Sequence, residues 1–371
     1  AFSRSPMLMS GYSPACTLIA RTATAMRDNS FFISYFWVFS CFPDARGSGI
    51  VTLDLGGSLI IQAKSATFFT GIGWRGWQNG LMAHDTFAVG DLTAVIGDNA
   101  AHENHRAGYN GLWSLRHKRS TRSIFVPGIA GLNLEHVFNG ETEFGGRDVF
   151  FEPRRAPMTF RKINATTAEL HQPPTPNFHM ESWTTFTLRA PHYIDMEFRC
   201  IPRQHVHERG WFGLFWASYM NAPADKSLYF RGGWRPKEDL WMQLCTQQHD
   251  DESTVLHQAD DFQLTWKKDS RDALFKNLSR MRYAAPFYYG NFEDLVYILM
   301  FEKPDGIRLT HSPSGGGFNK EFQTTNPAWD WQFIVPKYEV NQEYKYRARA
   351  VLRPKCSRAE ILKEVASWRK G

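Results

Sequence analysis

Tyr193 to Cys200 reads YIDMEFRC, and this octet decides the fold class. Side chains alternate along an extended chain, so Ile194, Met196, Phe198 and Cys200 share one face while Asp195, Glu197 and Arg199 share the other. One apolar face and one wet face describe a half-buried antiparallel strand. The stretch before it, Ser182 to Leu188 (SWTTFTL), consists mostly of β-branched and aromatic residues, which suit a pleated surface. Arg189-Ala190-Pro191-His192 between the two is a hairpin-sized connection. Farther on, Tyr344 to Leu352 (YKYRARAVL) alternates in the same way, with Lys345, Arg347 and Arg349 on the wet face. Gly213 to Met220 and Leu295 to Phe301 are continuous apolar runs, which fit strands covered on both faces.

Outward from these segments, the chain from about Asp91 onward is a series of short apolar or alternating stretches separated by Gly, Pro, Asn and Asp clusters. The expected architecture is all-β, a large antiparallel β-sandwich with a few short helices. The best helix signal is Arg358 to Lys370, where Ile361, Leu362, Val365 and Trp368 form a stripe behind a Ser357/Glu360 capping box. A second runs from Asp269 to Met281, with Leu274, Phe275, Leu278 and Met281 on one side, read as a helix over a sheet edge. No repeat of 20 to 50 residues is present, which excludes a propeller or solenoid. The domain reading is residues 1–84 as an N-terminal segment (signal, linker or poorly ordered), 85–352 as the sandwich, and 353–371 as a C-terminal helix packed on it.

With 371 residues, 43% hydrophobic and 22% charged, the chain can bury a large core, which excludes disordered and fibrous classes. An aromatic content of 15%, including 13 Trp, points to many strands, exposed stacking surfaces, or both. The excess of 43 basic over 37 acidic residues is spread along the chain without a basic block, so nucleic acid is not an expected partner. Five cysteines, widely spaced and without a CxxC pair, suggest neither a zinc knuckle nor a disulfide framework. Nothing in positions 1–45 alternates like a strand. Arg21 and Arg27 precede the apolar run Phe31 to Phe42 (FFISYFWVFSCF), too short to span a bilayer but of signal-peptide length. It lacks a small-x-small cleavage pattern. One reading is export to the periplasm or exterior; the other is an upstream segment or buried strand without a targeting role, which leaves a cytoplasmic location open.

The order of segments resembles the galactose-mutarotase-like supersandwich, shared by aldose epimerases, several polysaccharide lyases and accessory domains of glycoside hydrolases. Leu92 to Asp98 (LTAVIGD), Tyr109 to Leu115 (YNGLWSL) and Ile124 to Pro127 (IFVP) look like its opening. Ala168 to His171 (AELH), followed by Trp183 to Leu188 and Tyr193 to Arg199, is similar to its central meander. Stretches such as Phe151 to Met158 (FEPRRAPM) and Gly213 to Met220 (GLFWASYM) also look like large proteins of environmental bacteria. The resemblance covers about residues 85–352 and implies a carbohydrate ligand. The asparagine-histidine-aromatic motif of true aldose epimerases has no counterpart, so mutarotase activity is not implied, and one fold hosts many chemistries.

Sugar sites combine an aromatic platform for the C–H face of a pyranose with polar groups for its hydroxyls. Trp329 and Trp331 flank Asp330 two residues apart and share a strand face, either as core or as a stacking surface; Trp216 and Tyr219 are further stacking candidates. Arg154 and Arg155, between Pro153 and Pro157, sit on a rigid turn and could hold a carboxylate such as a uronate, or simply pair with Glu152. Among 13 histidines, His171 with Glu181 is the preferred acid/base pair, because each borders a central strand. His136 follows, crowded with Asn133 and Glu135. His102 and His105 have helical i, i+3 spacing, and His205 and His207 would share a strand face, but neither pair completes a metal ligand set. The glycine-rich stretch His311 to Gly317 lacks a phosphate-loop lysine, and Ser218 and Ser312 lack a GxSxG context. No cofactor, metal or membrane span is expected. The leading functional expectation is a carbohydrate-active enzyme using acid/base chemistry of epimerase, lyase or hydrolase type; the alternatives are a non-catalytic glycan-binding protein and a structural β protein.

Overall fold

The computed structural model describes residues 83–370 except 142–146, 249–250, 269–273 and 314–325, with only the backbone at 147, 148 and 370. It also describes the backbone of four N-terminal strands. The chain divides into two compact units, Ala1–Gln78 and Asn79–Gly371. In the first, β1 (Cys16–Arg27) pairs antiparallel with β2 (Ser30–Cys41), and β3 (Val51–Asp54) with β4 (Ser58–Ile61). Strands therefore occur where the sequence shows no alternation. Phe, Ile, Tyr, Trp and Val give β2 strand propensity without a one-sided pattern. The rest of the signal-like region lies outside the described residues.

The second unit opens with an antiparallel meander of β5 (His84–Val89), β6 (Leu92–Gly97) and β7 (Gly111–His117). Then follow β8 (Asn133–Phe138), two single-turn helices α1 (Arg147–Phe150) and α2 (Glu152–Arg155), β9 (Thr159–Lys162), β10 (Thr167–Gln172), β11 (Met180–Arg189) and β12 (Tyr193–Pro202). Next come β13 (Phe212–Ala217), β14 (Leu228–Gly233), β15 (Leu240–Leu244), β16 (Thr254–His257), β17 (Leu278–Tyr283), β18 (Phe287–Phe292) and β19 (Leu295–Phe301). The chain ends with β20 (Ile307–Ser312), β21 (Ala328–Val335), β22 (Tyr344–Pro354) and α3 (Arg358–Lys370). These strands form one 15-stranded sheet in the order β8-β13-β21-β20-β16-β17-β14-β18-β19-β22-β12-β11-β10-β9, with β15 on β14. Only the β16–β17 pairing among the described ladders is parallel.

Contacts between distant members of this order show that the sheet doubles back into two layers. Trp216 on β13 meets Phe198 on β12 edge to face at 4.6 Å, and Trp331 on β21 donates its indole N–H to the Tyr346 hydroxyl on β22 at 3.0 Å. The inward residues of both layers make the main core. A second apolar cluster lies on the outer face of the β8–β13–β21 layer, and a third lies between β18–β19–β22 and α3. The β11–β12 hairpin, the buried runs in β13 and β19, and the C-terminal helix match the sequence reading. The capping box forms: Ser357 N–H donates to Glu360 at 2.8 Å, and Glu360 N–H returns to Ser357 Oγ at 3.3 Å.

Two helix readings need correction. Leu362 is 37% exposed, because it lies a quarter-turn off the line of Ile361, Val365 and Trp368. Of the expected helix at Asp269 to Met281, residues 269–273 lie outside the described set, and Leu278 to Met281 belongs to β17. There Ser279, Met281 and Tyr283 point inward, a period of two that overrides the helical spacing of the apolar residues. Among the described residues no helix is long and apolar enough to cross a membrane.

Gly290 on β18 is a packing constraint: a Cβ there would overlap the six-membered ring of the fully buried Trp329 on the facing layer. Gly290→Ala should therefore destabilise the fold by about 1–3 kcal/mol through overpacking, read as a lower urea midpoint with an unchanged m-value.

Candidate functional site

The outer face of β8 gathers several ionisable side chains. Along β8, Leu134 and Val137 point into the main core and Phe138 points to the outer cluster, so strict alternation breaks between them. The register explains why: Phe215 opposes His136 and Trp216 opposes Leu134, which makes Glu135 the extra residue of a β-bulge. A bulge re-aims side chains. Here it brings Glu135 and His136 together on the outer side, both nearly buried, with Glu135 Oε2 3.7 Å from His136 Nε2.

Three other chain segments close on this pair. Pro153 starts the single turn of α2, which carries Arg154 inward while Arg155 stays exposed. Arg154 donates from Nη1 to Glu135 Oε1 at 2.9 Å and from Nε to the Gly108 carbonyl at 2.8 Å. Its guanidinium lies 3.9 Å from the Tyr109 ring and 4.9 Å from the Phe151 ring, positions favoured by the negative ring face. Tyr219, held beside β21 by a bridge to Ala328, donates its hydroxyl to Glu135 Oε1 at 2.6 Å. Its ring meets Tyr109 edge-on at 5.5 Å. His136 Nδ1 lies 2.6 Å from the Phe150 carbonyl. A carbonyl only accepts, so Nδ1 carries a proton, and Nε2 is the atom turned to the Glu135 carboxyl.

The electrostatics follow from burial. Burial, then the Glu135 charge, pushes the Tyr219 phenol well above its ordinary value, so it stays protonated. Burial pulls Arg154 down, but Tyr219, Glu135 and Tyr109 outweigh it and hold the guanidinium above its ordinary value. Behind them Asp330, fully buried, accepts the Ser218 N–H at 3.0 Å. Burial, opposed by that hydrogen bond and reinforced by Glu135, raises its carboxyl far above the usual range. The arrangement thus presents a carboxylate, a neutral phenol, an imidazole and a guanidinium within one low-dielectric patch, the mix expected where protons are moved.

The other expected site residues part company here. His171 and Glu181 do meet, Nε2 to Oε1 at 2.9 Å, on the outer face of β10 and β11, where both are half-buried. Arg203 occupies the second carboxylate oxygen at 2.6 Å. Burial raises Glu181, and the hydrogen bonds from His171 and Arg203 more than reverse this, so its carboxyl sits below the usual range. His171 stacks on Trp183 at 4.8 Å, and Arg199 lies 3.7 Å from the same ring. Trp216, Trp329 and Trp331 are essentially fully buried, so their expected role as sugar platforms is corrected to core packing, and the ring of Tyr219, 5% exposed and packed on Tyr109, offers no stacking face either. Trp216 and Trp331 stack on each other at 5.5 Å and 6°. Trp329 donates its indole N–H to the Lys226 carbonyl at 2.9 Å.

The histidine clusters resolve as structure. His102 and His105 pair across a tight turn rather than a helix, and His105 stacks on Trp113 at 3.8 Å. His205 and His207 lie in a loop, not on a strand, and His207 is fully buried against Tyr338 and Asn139. Among the described residues no group of three or more His, Cys, Asp or Glu has the geometry to hold a metal ion. The glycine-rich loop beyond Pro313 falls outside the described residues. Tyr109 carries no sequence signal of a site role, and in the sequence Glu135 is only a neighbour of His136. The Glu135-His136 dipeptide was a signal, but a bulge depends on the partner strand.

No family model matches the sequence, and comparison with curated proteins finds no match. Among solved structures the chain is similar to a putative aldose 1-epimerase from Escherichia coli K12, at 10% identity and TM-score 0.43 over 73% of this chain and 99% of that one. It is also similar to a GalM/aldose epimerase homologue from C. elegans, at 8% identity and TM-score 0.45 over 74% and 99%. A heparan sulfate lyase from Pedobacter heparinus matches at 10% identity and TM-score 0.33 over 72% of this chain and 34% of that one. At these scores the likeness carries no argument about activity, which has to rest on the residues themselves.

Two consequences are measurable. Arg154→Met strips a nearly buried carboxylate of its counter-charge and should cost about 3 kcal/mol in urea unfolding; adding Glu135→Gln should recover a large part of it. Burial lowers His105 to about 4, against the opposing Tyr109 carbonyl, and His207 to about 3, helped by His205 and His179. The unfolded chain then binds protons that the folded one refuses, so stability should fall as pH drops below about 6.5 and keep falling towards the folded values. His105→Gln combined with His207→Asn should lessen the fall of the urea midpoint between pH 7.5 and pH 5, the remainder being carried chiefly by His311, which burial also lowers to about 4.

Proposed function

We propose that the protein is a carbohydrate-active enzyme that acts on a sugar or uronate-containing glycan by general acid/base chemistry at Glu135, His136, Arg154 and Tyr219. The observation that carries this reading is the β8 bulge, which turns two adjacent ionisable residues onto the face where Arg154 and Tyr219 arrive from other segments. Glu135, His136 and Tyr219 are all buried, so this reading requires the cover over β8 to open to a ligand; the pair Glu135–His136 then takes a proton from a sugar carbon or oxygen, and Tyr219, protonated because it is buried, returns one to the other side. Arg154 holds the ligand carboxylate and spreads its charge, which makes an adjacent carbon acid easier to ionise. Proton removal and return correspond to epimerisation, or to β-elimination when a leaving group sits one carbon away. Exposure of Trp234, 57% at the β14–β15 turn, favours a second reading, in which a glycan is bound there without turnover.

A glycan array covering neutral and acidic oligosaccharides, followed by turnover assays on whatever is bound, separates the two. Under the enzyme reading, Tyr219→Phe and His136→Ala keep binding but lose at least about a hundredfold in turnover, while His171→Ala is unaffected. Binding without turnover, abolished by Trp234→Ala, would favour the second reading. Absence of binding and turnover with every glycan would sink both.

A further inference from the structure

The register of the first unit brings two of the five cysteines opposite each other, although no spacing in the sequence pairs them. Only Asp28 and Asn29 separate β1 from β2, and the ladder runs unbroken from Arg27 opposite Ser30 to Cys16 opposite Cys41. The two cysteines therefore close the open end of the hairpin. Pairs along an antiparallel ladder alternate between hydrogen-bonded and non-hydrogen-bonded. Residues that flank a two-residue connection are a hydrogen-bonded pair. Cys16 and Cys41 lie eleven steps farther out than Arg27 and Ser30, an odd number, which makes them a non-hydrogen-bonded pair on one face of the ribbon. The Cα atoms of such a pair stand about 4.5 Å apart, within the roughly 4.4–6.8 Å that a disulfide spans.

The other three cysteines are free thiols in the second unit. Cys200 on β12 has Ser182 and Tyr344 as its register partners, and burial pushes its thiol up. Burial also raises the thiol of the half-buried Cys356, and Cys245 is exposed just beyond β15. The hairpin itself has reason to need a cross-link. A two-stranded ribbon is marginal in water. On β1, Leu18, Ala20 and Thr22 share the face of Cys16, and Thr17, Ile19 and Arg21 share the other, so neither face is distinctly apolar and the pattern specifies the register only weakly. A slip of one residue would put the two cysteines on opposite faces.

We infer that Cys16 and Cys41 form a disulfide that staples β1 to β2 in this register when the chain meets a small-molecule disulfide such as oxidised glutathione. The thiolate of one cysteine attacks a sulfur of that oxidant and expels one thiolate; the thiolate of the other attacks the resulting mixed disulfide and expels the second. Two protein S–H bonds are lost, one S–S bond forms, and the oxidant leaves as two thiols. A bond of this kind persists in oxidising compartments and is reduced in the cytosol, so the compartment decides whether the hairpin is stapled.

The test treats the full chain with oxidised glutathione, blocks the remaining thiols with N-ethylmaleimide in denaturant and maps the peptides by mass spectrometry. The expected product joins Cys16 to Cys41, with Cys200, Cys245 and Cys356 alkylated, and a reductant should separate the joined peptides. Trypsin should cut after Arg21 and Arg27 at least about tenfold more slowly in the oxidised chain than in the reduced one, and Cys16→Ser should remove that difference. Cys41→Ser combined with Ser40→Cys moves one thiol to the other face, opposite Thr17, and should abolish the link. A link formed in that variant at the wild-type yield would mean that a loose chain, not the register, brings the thiols together, and would overturn the inference. So would alkylation of both Cys16 and Cys41 after oxidation, or their linkage to another cysteine or to a second chain.

Discussion

The two layers of the sandwich depend on the contact made by two stacked indoles, Trp216 on β13 and Trp331 on β21, with Phe198 and Tyr346 on the opposite layer. These rings are large, so burying them removes much apolar surface from water, and their planes fix how closely the layers approach. Trp329 repeats the arrangement farther along β21, where Gly290 of the facing layer leaves space for its ring. A chain rich in tryptophan therefore spends much of it on the interior of the fold.

Because the inner faces are filled in this way, the outer face of the β8–β13–β21 layer is where polar chemistry can gather. Its cover is irregular: the loop before β7, the turn of α2 and the segment through Trp266 lie over it, and each contributes a side chain or a carbonyl. The nearly buried Glu135 is balanced by Arg154 and hydrogen-bonded by Tyr219, which satisfies the rule that a buried charge needs both a partner and donors. The same geometry keeps a phenol protonated beside a carboxylate and an imidazole. The groups that satisfy the buried charge are thus the ones the proposed chemistry would use.

Much of the architecture was legible in the sequence because strand alternation is a local property. YIDMEFRC, YKYRARAVL and the run in β19 form strands as their patterns require, and the Ser357/Glu360 box caps the helix that follows. Reading failed where two periods fitted the same residues, as at Leu278 to Met281, and where strand propensity came without alternation, as in β1 and β2. For the site, Arg154 and Tyr219 are legible as residue types suited to a ligand, and His171 with Glu181 as a pair because each borders a central strand; in the register His171 opposes Trp183 and reaches Glu181 on the diagonal.

The sequence by itself determined the strand content, the C-terminal helix and the supply of arginine, histidine and tyrosine, because each follows from local pattern and composition. Only the tertiary structure decided that Trp216, Trp329 and Trp331 are core, and that Arg154 turns inward while Arg155 does not. It also decided that Glu135, rather than Glu181, gathers buried partners. The physical reason is the same in each case. Burial depends on which layer folds over which face, and a bulge depends on the register of a partner strand some eighty residues away in β13, neither of which is encoded in the local alternation of side chains.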